Sequence, residues 1–205
     1  MLNKTRIAVF VSGGGTNLQA LIDAQDSGIL HSGEIKLVVA SKPGVYALER
    51  AAAADIPGVV VSRKEYESQT AFEDAMIEVL DEYGIQMIIL AGFLSILSEH
   101  FTSKYPERII NVHPALIPSF CGEGFYGLKV HKAALDYGVK VTGATVHYVN
   151  EVPDGGRIIF QKAVEIEDGD TPETLQRRVM EQAEWILLPK AAEFVSSKLA
   201  KEQST

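Results

Sequence analysis

The chain holds a single cysteine, Cys121, so no disulfide can form within it, and a reducing compartment is the setting that count implies. No apolar stretch is long enough to cross a bilayer, and the first residues lack the pattern of a signal peptide. A cytoplasmic protein with no membrane association is therefore expected. Basic residues are in deficit, with 19 Lys and Arg against 27 Asp and Glu and a formal charge of −8. That balance argues against a nucleic-acid partner, which needs a basic stripe, but it leaves room for a local pocket that takes a small anion. The five histidines are scattered without paired-ligand spacing, so no metal site is expected. Internal repeats, low-complexity tracts and linkers are also missing. The 205 residues suit one large domain with a sizeable core.

What is present is an alternation of strands and helices. Residues 7–11 are a fully apolar run, the mark of a parallel strand covered on both faces. A helix is predicted over 17–26, a second strand over 35–40, and an Ala-rich helix over 45–54 after the break at Pro43-Gly44. Residues 59–61 form a third, short strand. Apolar residues at 72, 75, 76, 79, 80 and 83 predict a helix over 71–83. Residues 87–91 and 109–112 supply two more strands. The rhythm then changes. Residues 113–126 are rich in Pro, Gly and aromatics without a period, which marks a functional loop. A helix over 128–137 leads into strands at 141–149 and 157–164, an antiparallel hairpin turning at Pro153-Asp154-Gly155-Gly156. Thr171-Pro172-Glu173-Thr174 opens a last helix running through Trp185 to about Lys198, with Thr171 as N-cap and Thr174 where a capping box has Glu. The expected fold is α/β: a single Rossmann-like, doubly wound domain with a mostly parallel sheet and a C-terminal antiparallel hairpin.

Ser12-Gly13-Gly14-Gly15-Thr16-Asn17 joins the first strand to the first helix. Such a loop is either a tight turn or an anion site, since glycines admit a close ligand and the helix start offers free N–H groups. The dinucleotide fingerprint fails, because Leu18 stands where its third glycine belongs and Ala40-Ser41-Lys42 brings no acid to the second strand's end. A P-loop is excluded by the lack of Gly-Lys-Ser/Thr. The loop favours a small phosphorylated ligand.

Among the polar residues, Asn111 and His113 stand two apart at the end of a buried strand, so their side chains project from one face toward the crevice where ligands bind. His113 is either a packed core histidine or a proton-transfer group. His31 and His100 read as surface residues, His131 as structural and His147 as packed or supporting. Asp154 read alone is turn chemistry. Nothing marks Cys121 as an activated thiol, and Ser12 and Ser119 lack a nucleophile elbow.

Four segments together carry a resemblance: Ser12-Gly13-Gly14-Gly15-Thr16-Asn17-Leu18-Gln19-Ala20, Leu90-Ala91-Gly92-Phe93-Leu94, Asn111-Val112-His113-Pro114-Ala115-Leu116-Ile117-Pro118, and Asp154-Gly155-Gly156. With them the chain resembles the folate-dependent formyltransferases from about Arg6 to Phe194, and the Gly-Thr-Asn loop marks the branch acting on glycinamide ribonucleotide. The resemblance implies a phosphate-binding half over about 1–100 and a folate-binding, catalytic half over about 101–205. It implies 10-formyltetrahydrofolate as co-substrate, no metal, small-molecule partners, and a monomer or homodimer. Asn111, His113 and Asp154 would be catalytic, with Asp154 raising the His113 pKa. Gly14, Gly15, Thr16, Asn17 and Glu184 would bind the ribonucleotide. Gln69, Leu94, Ser95, Ile96, Leu97, Asn111, Asn150, Glu151, Val152 and Pro153 would bind the folate. Ser95 and Gln69 stand where relatives often have Arg, Ala115 where they have Ser, and Trp185 where they have His. Two other readings follow from the same residues: a 10-formyltetrahydrofolate hydrolase, in which water attacks, and a non-catalytic phosphosugar-binding module.

Overall fold

The computed structural model describes residues 4–202. Residues 1–3 and 203–205, including the very start on which the signal-peptide reading rests, lie outside it. Strands β1 (Thr5–Val11), β2 (Gly33–Ala40), β3 (Gly58–Val60), β4 (Met87–Leu90), β5 (Ile109–His113), β6 (Val141–Tyr148) and β7 (Ile158–Glu165) form one sheet in the order β3-β2-β1-β4-β5-β6-β7. The first five are mutually parallel, and β6 and β7 run antiparallel beside β5. This is the expected doubly wound sheet with its antiparallel end.

The apolar runs are explained by cover on both sides. Along β1, Ile7, Val9 and Val11 enter one core layer and Ala8 and Phe10 the other, because side chains alternate across a strand. The first layer is closed by α1 (Thr16–Asp26), α2 (Tyr46–Ala53) and the long C-terminal helix. The second is closed by α3 (Gln69–Glu82) and α4 (Glu99–Thr102). β1 lies between β2 and β4, so the order of connection reverses there and a crevice opens at the strands' C-terminal ends.

Two features differ from the sequence reading. One-turn elements, α4 and a 3₁₀ turn at Arg63–Glu65, were not expected, since four residues are too few to display a period. After α5 (Leu128–Tyr137), the last helix is not continuous. α6 (Pro172–Val179) passes through a π turn, Met180–Glu184, into α7 (Trp185–Glu202). Pro189, inside α7, cannot donate to the carbonyl one turn back, so the helical ladder is interrupted a second time close to the π turn. The capping box forms with Thr in the place of Glu: Thr174 N donates to Thr171 Oγ1 at 3.3 Å and Thr171 N to Thr174 Oγ1 at 2.9 Å.

Candidate active site

Two cavities lie at the C-terminal ends of β1, β4 and β5, where the topology puts the crevice. The first, about 420 Å³, is walled by Leu90, the loop 93–97, Val149 and the turn 150–154, with the loop 122–126 across it. The second, about 280 Å³, runs from Thr16 and Asn17 at the start of α1, past Gln176, Met180 and Glu184, to His113. They share Phe93, Leu94, Asn111, Phe125, Tyr126 and Asp154, so the two spaces meet at Asn111 and Asp154.

Asn111 and His113 reach the junction from the end of β5, which pairs with β6 through Asn111–His147 and His113–Thr145. Asp154 arrives from the turn between β6 and β7, with φ +56°. The turn is folded by Asn150 Oδ1, which accepts Val152 N–H at 3.1 Å, and by Val152 O, which accepts Gly155 N–H at 2.9 Å. Gly156 has to be glycine, because a Cβ there would meet Tyr148 O at 1.7 Å. Asp154 is thus aimed by its neighbours: it belongs to the turn and also lines both cavities.

Around the junction, Asp154 Oδ2 accepts Gly122 N–H at 2.8 Å and faces His113 Nδ1 at 3.4 Å. His113 Nε2 lies 2.8 Å from Phe120 O, and since a carbonyl only accepts, this nitrogen carries the proton. The loop 113–126 is thereby tied at both ends of the His–Asp pair. His147 Nδ1 donates to Tyr148 O at 2.7 Å, which leaves Nε2 of the neutral ring to accept from Asn111 Nδ2 at 3.1 Å. The second amide hydrogen of Asn111 is held only weakly by Asp154 Oδ1, at 3.5 Å.

Burial is the largest influence on His113 and lowers its pKa, and the neighbouring His147 ring adds a smaller push in the same direction. Asp154 and the Phe120 carbonyl pull the other way without prevailing. The expected upward pull of Asp154 on His113 is present, but burial outweighs it and the net shift is downward. Asp154 itself is raised by burial but held below the usual carboxylate range by the His147 ring 3.5 Å away, by His113 and by Gly122 N–H.

At the other end of the second cavity, Glu184 is buried, and loss of solvation pushes its pKa up to about 7 against the opposing bond from Asn17 Nδ2 at 2.7 Å. Thr16 and Asn17 line this cavity, whereas Gly14 and Gly15 do not. Gly15 caps α1 with φ +72°, and a Cβ there would meet Ala47 Cβ at 2.7 Å, so its bareness serves the approach of α2. Gly14 offers its carbonyl to Arg50 Nε at 2.9 Å.

Leu94, Ser95, Ile96, Leu97, Asn150, Glu151, Val152 and Pro153 all line the first cavity. Gln69 lines an adjoining hollow with Ile96, Leu97 and Glu151, and supports the wall from behind by donating to Ile96 O at 3.1 Å. Residues missed from the sequence complete the frame. Ser12 Oγ accepts Leu94 N–H at 3.0 Å, and Glu73, fully buried, accepts Ser98 N–H and Gln69 Nε2 at 2.7 Å each. Lys129 and His147 line the first cavity and Gln176 and Met180 the second. A buried Glu in an amphipathic helix was the one readable hint. Among the described residues, no group of three or more His, Cys, Asp or Glu is arranged to hold a metal ion, and no helix is long and apolar enough to cross a membrane.

A formyl transferase family model matches residues 5–191. The trifunctional purine biosynthetic protein adenosine-3 of Gallus gallus is 47% identical over 195 residues, 95% of this chain, although the chain spans only 19% of that protein's length. The phosphoribosylglycinamide formyltransferase of Haemophilus influenzae is 38% identical over 177 residues, 86% of this chain and 81% of that protein. The crystal structure of glycinamide ribonucleotide transformylase 1 from Symbiobacterium toebii superposes with a TM-score of 0.89 at 37% identity, covering 95% of this chain and 89% of that one. With a match that takes in both cavities and the residues at their junction, the chain belongs to the formyl transferase family.

Proposed function

We propose that this chain transfers the formyl group of 10-formyltetrahydrofolate to the amino group of glycinamide ribonucleotide, a step of purine biosynthesis. The observation that carries the reading is the meeting of two separate cavities at Asn111 and Asp154. One space takes a donor and the other an acceptor, and the reacting groups are brought together where polar side chains converge. The folate would occupy the first cavity, its pterin edge against backbone groups of 94–97 and 150–154. The ribonucleotide would occupy the second, with its phosphate at the start of α1, where free N–H groups and the helix dipole favour an anion.

Attack by the amine nitrogen on the formyl carbon forms a C–N bond and leaves an oxyanion. The weakly held amide hydrogen of Asn111 is the donor available to it, and such a donor is worth most in a site closed to water. Collapse breaks the bond to N10 of the folate, and the proton lost by the amine is delivered to N10. His113, neutral at neutral pH because its pKa is lowered, takes the proton and returns it. Asp154 stabilises the transient imidazolium from 3.4 Å. Neither a covalent enzyme intermediate nor a metal enters these steps.

The hydrolase reading is weaker because water needs no second cavity lined by Asn17, Gln176 and Glu184. Steady-state turnover of purified protein with 10-formyltetrahydrofolate, with and without glycinamide ribonucleotide, tests the choice. Formylated ribonucleotide should appear only with both substrates. Release of formate at the same rate without the acceptor would replace this reading by the hydrolase.

A further inference from the structure

The second cavity has a polar residue whose presence depends on the π turn between α6 and α7. In an uninterrupted α-helix, residues 176 and 184 would be roughly 80° out of phase, at 3.6 residues per turn. A π turn absorbs one extra residue, so the eight-residue step behaves like a heptad, for which the drift is only about 20°. Gln176, Met180 and Glu184 therefore share one face, and all three line the cavity.

The ends of this row have different surroundings. Glu184 is fixed beside the start of α1 by Asn17 at 2.7 Å. Gln176 sits two turns earlier, about 11 Å along the axis at about 5.4 Å per turn, on the helix that packs against α5. Gly127, at the start of α5, and Pro114, next to His113, line the same cavity. Gln176 is only partly buried, and its side-chain amide makes no hydrogen bond among the described residues. Glu184 thus stands at the start of α1, where an anion would bind, and Gln176 lies two turns away along the wall of a cavity that also holds His113 and Asp154.

We infer that Gln176, brought into line with Glu184 by the π turn, binds the amide of the acceptor's glycinamide arm and so helps to select an amine carried on an amide. A glutamine amide is both donor and acceptor and can pair with the N–H and C=O of another amide, which a phosphate or a ribose hydroxyl does not require. This inference rests on the proposed identity of the acceptor.

The test is a Gln176→Ala variant assayed beside wild type and a Gln182→Ala control. Gln182 is an exposed residue of the same π turn that does not line the cavity. The acceptor KM should rise about five- to tenfold in Gln176→Ala, the size expected for one lost hydrogen bond. The KM for 10-formyltetrahydrofolate should stay within twofold, and the control should match wild type. Ribose 5-phosphate, which lacks the glycinamide arm, supplies the second readout as a competitive inhibitor. Its Ki should be equal in wild type and Gln176→Ala and should rise in Glu184→Gln. An unchanged acceptor KM in Gln176→Ala, or a parallel loss of ribose 5-phosphate binding, overturns the inference. Wild type that fails to formylate glycinamide ribonucleotide would instead overturn the proposed function itself.

Discussion

Asp154 carries a carboxylate into a half-buried junction at φ +56°, a backbone region that Asp and Asn tolerate better than other non-glycine residues. Asp154→Asn therefore keeps the turn and removes the charge. With the acceptor and donor saturating, kcat should fall by about two to four orders of magnitude, the usual range for a group that assists proton transfer. The melting temperature should stay within a few degrees of wild type. The sign of a second effect follows from the balance at His113. Burial lowers the His113 pKa and Asp154 opposes it, so removing that charge lowers the pKa further. The acid limb of kcat/KM, already below the ordinary histidine value near ~6.5, should move to still lower pH in the variant. A limb that stays put or moves up would separate His113 from the limb.

Helix α1 and its loop show how an element can be read correctly for an incomplete reason. The glycines after β1 signalled a tight turn or an anion site. The structure adds that Gly15 is bare because α2 crosses it, whereas a Cβ at Gly14 would meet nothing within 4 Å. Gly15→Ala should destabilise by about 1–3 kcal/mol through strain and overpacking, and Gly14→Ala by much less, as thermal or urea melts would record. An equal effect at the two positions would remove the contact with Ala47 as the cause. The loop over β4 offers a matching case on the donor side. Gln69 holds Ile96 O from behind, so Gln69→Ala should raise the donor KM several-fold while leaving the acceptor KM near its wild-type value. Strands and long helices were legible because burial on two faces, or on one stripe, leaves a period in the residues. The supports of the site were not. Glu73 reaching Ser98, Ser12 reaching Leu94 and Asn17 reaching Glu184 join residues 25, 82 and 167 positions apart, and no local pattern encodes such a contact. The π turn was hidden for a related reason, since one extra residue in an apolar stripe resembles an ordinary irregularity of spacing.

At the scale of the whole molecule, two buried titratable groups set opposing demands on pH. His131 in α5 is buried with neither ring nitrogen hydrogen-bonded, and burial followed by repulsion from His113 lowers its pKa to about 4. The unfolded chain takes up the proton near 6.5 and the folded one only near 4. The stability owed to the neutral ring is therefore complete above about pH 6.5 and drains away as pH falls toward 4. Glu184 behaves in reverse. Its folded pKa of about 7 exceeds its ordinary 4.5, so its contribution is complete below about pH 4.5 and is lost as pH rises through 7. Between about pH 4.5 and 6.5 the two groups tilt the stability curve in opposite directions and offset one another. Single variants should separate them. Urea denaturation of Glu184→Gln across this window should give a curve that falls more steeply toward acid than that of wild type, because His131 is then unopposed. His131→Phe should give a curve that falls more steeply toward neutral pH, because Glu184 is unopposed. Curves that stay parallel to wild type in both variants would mean that neither group changes its protonation on folding.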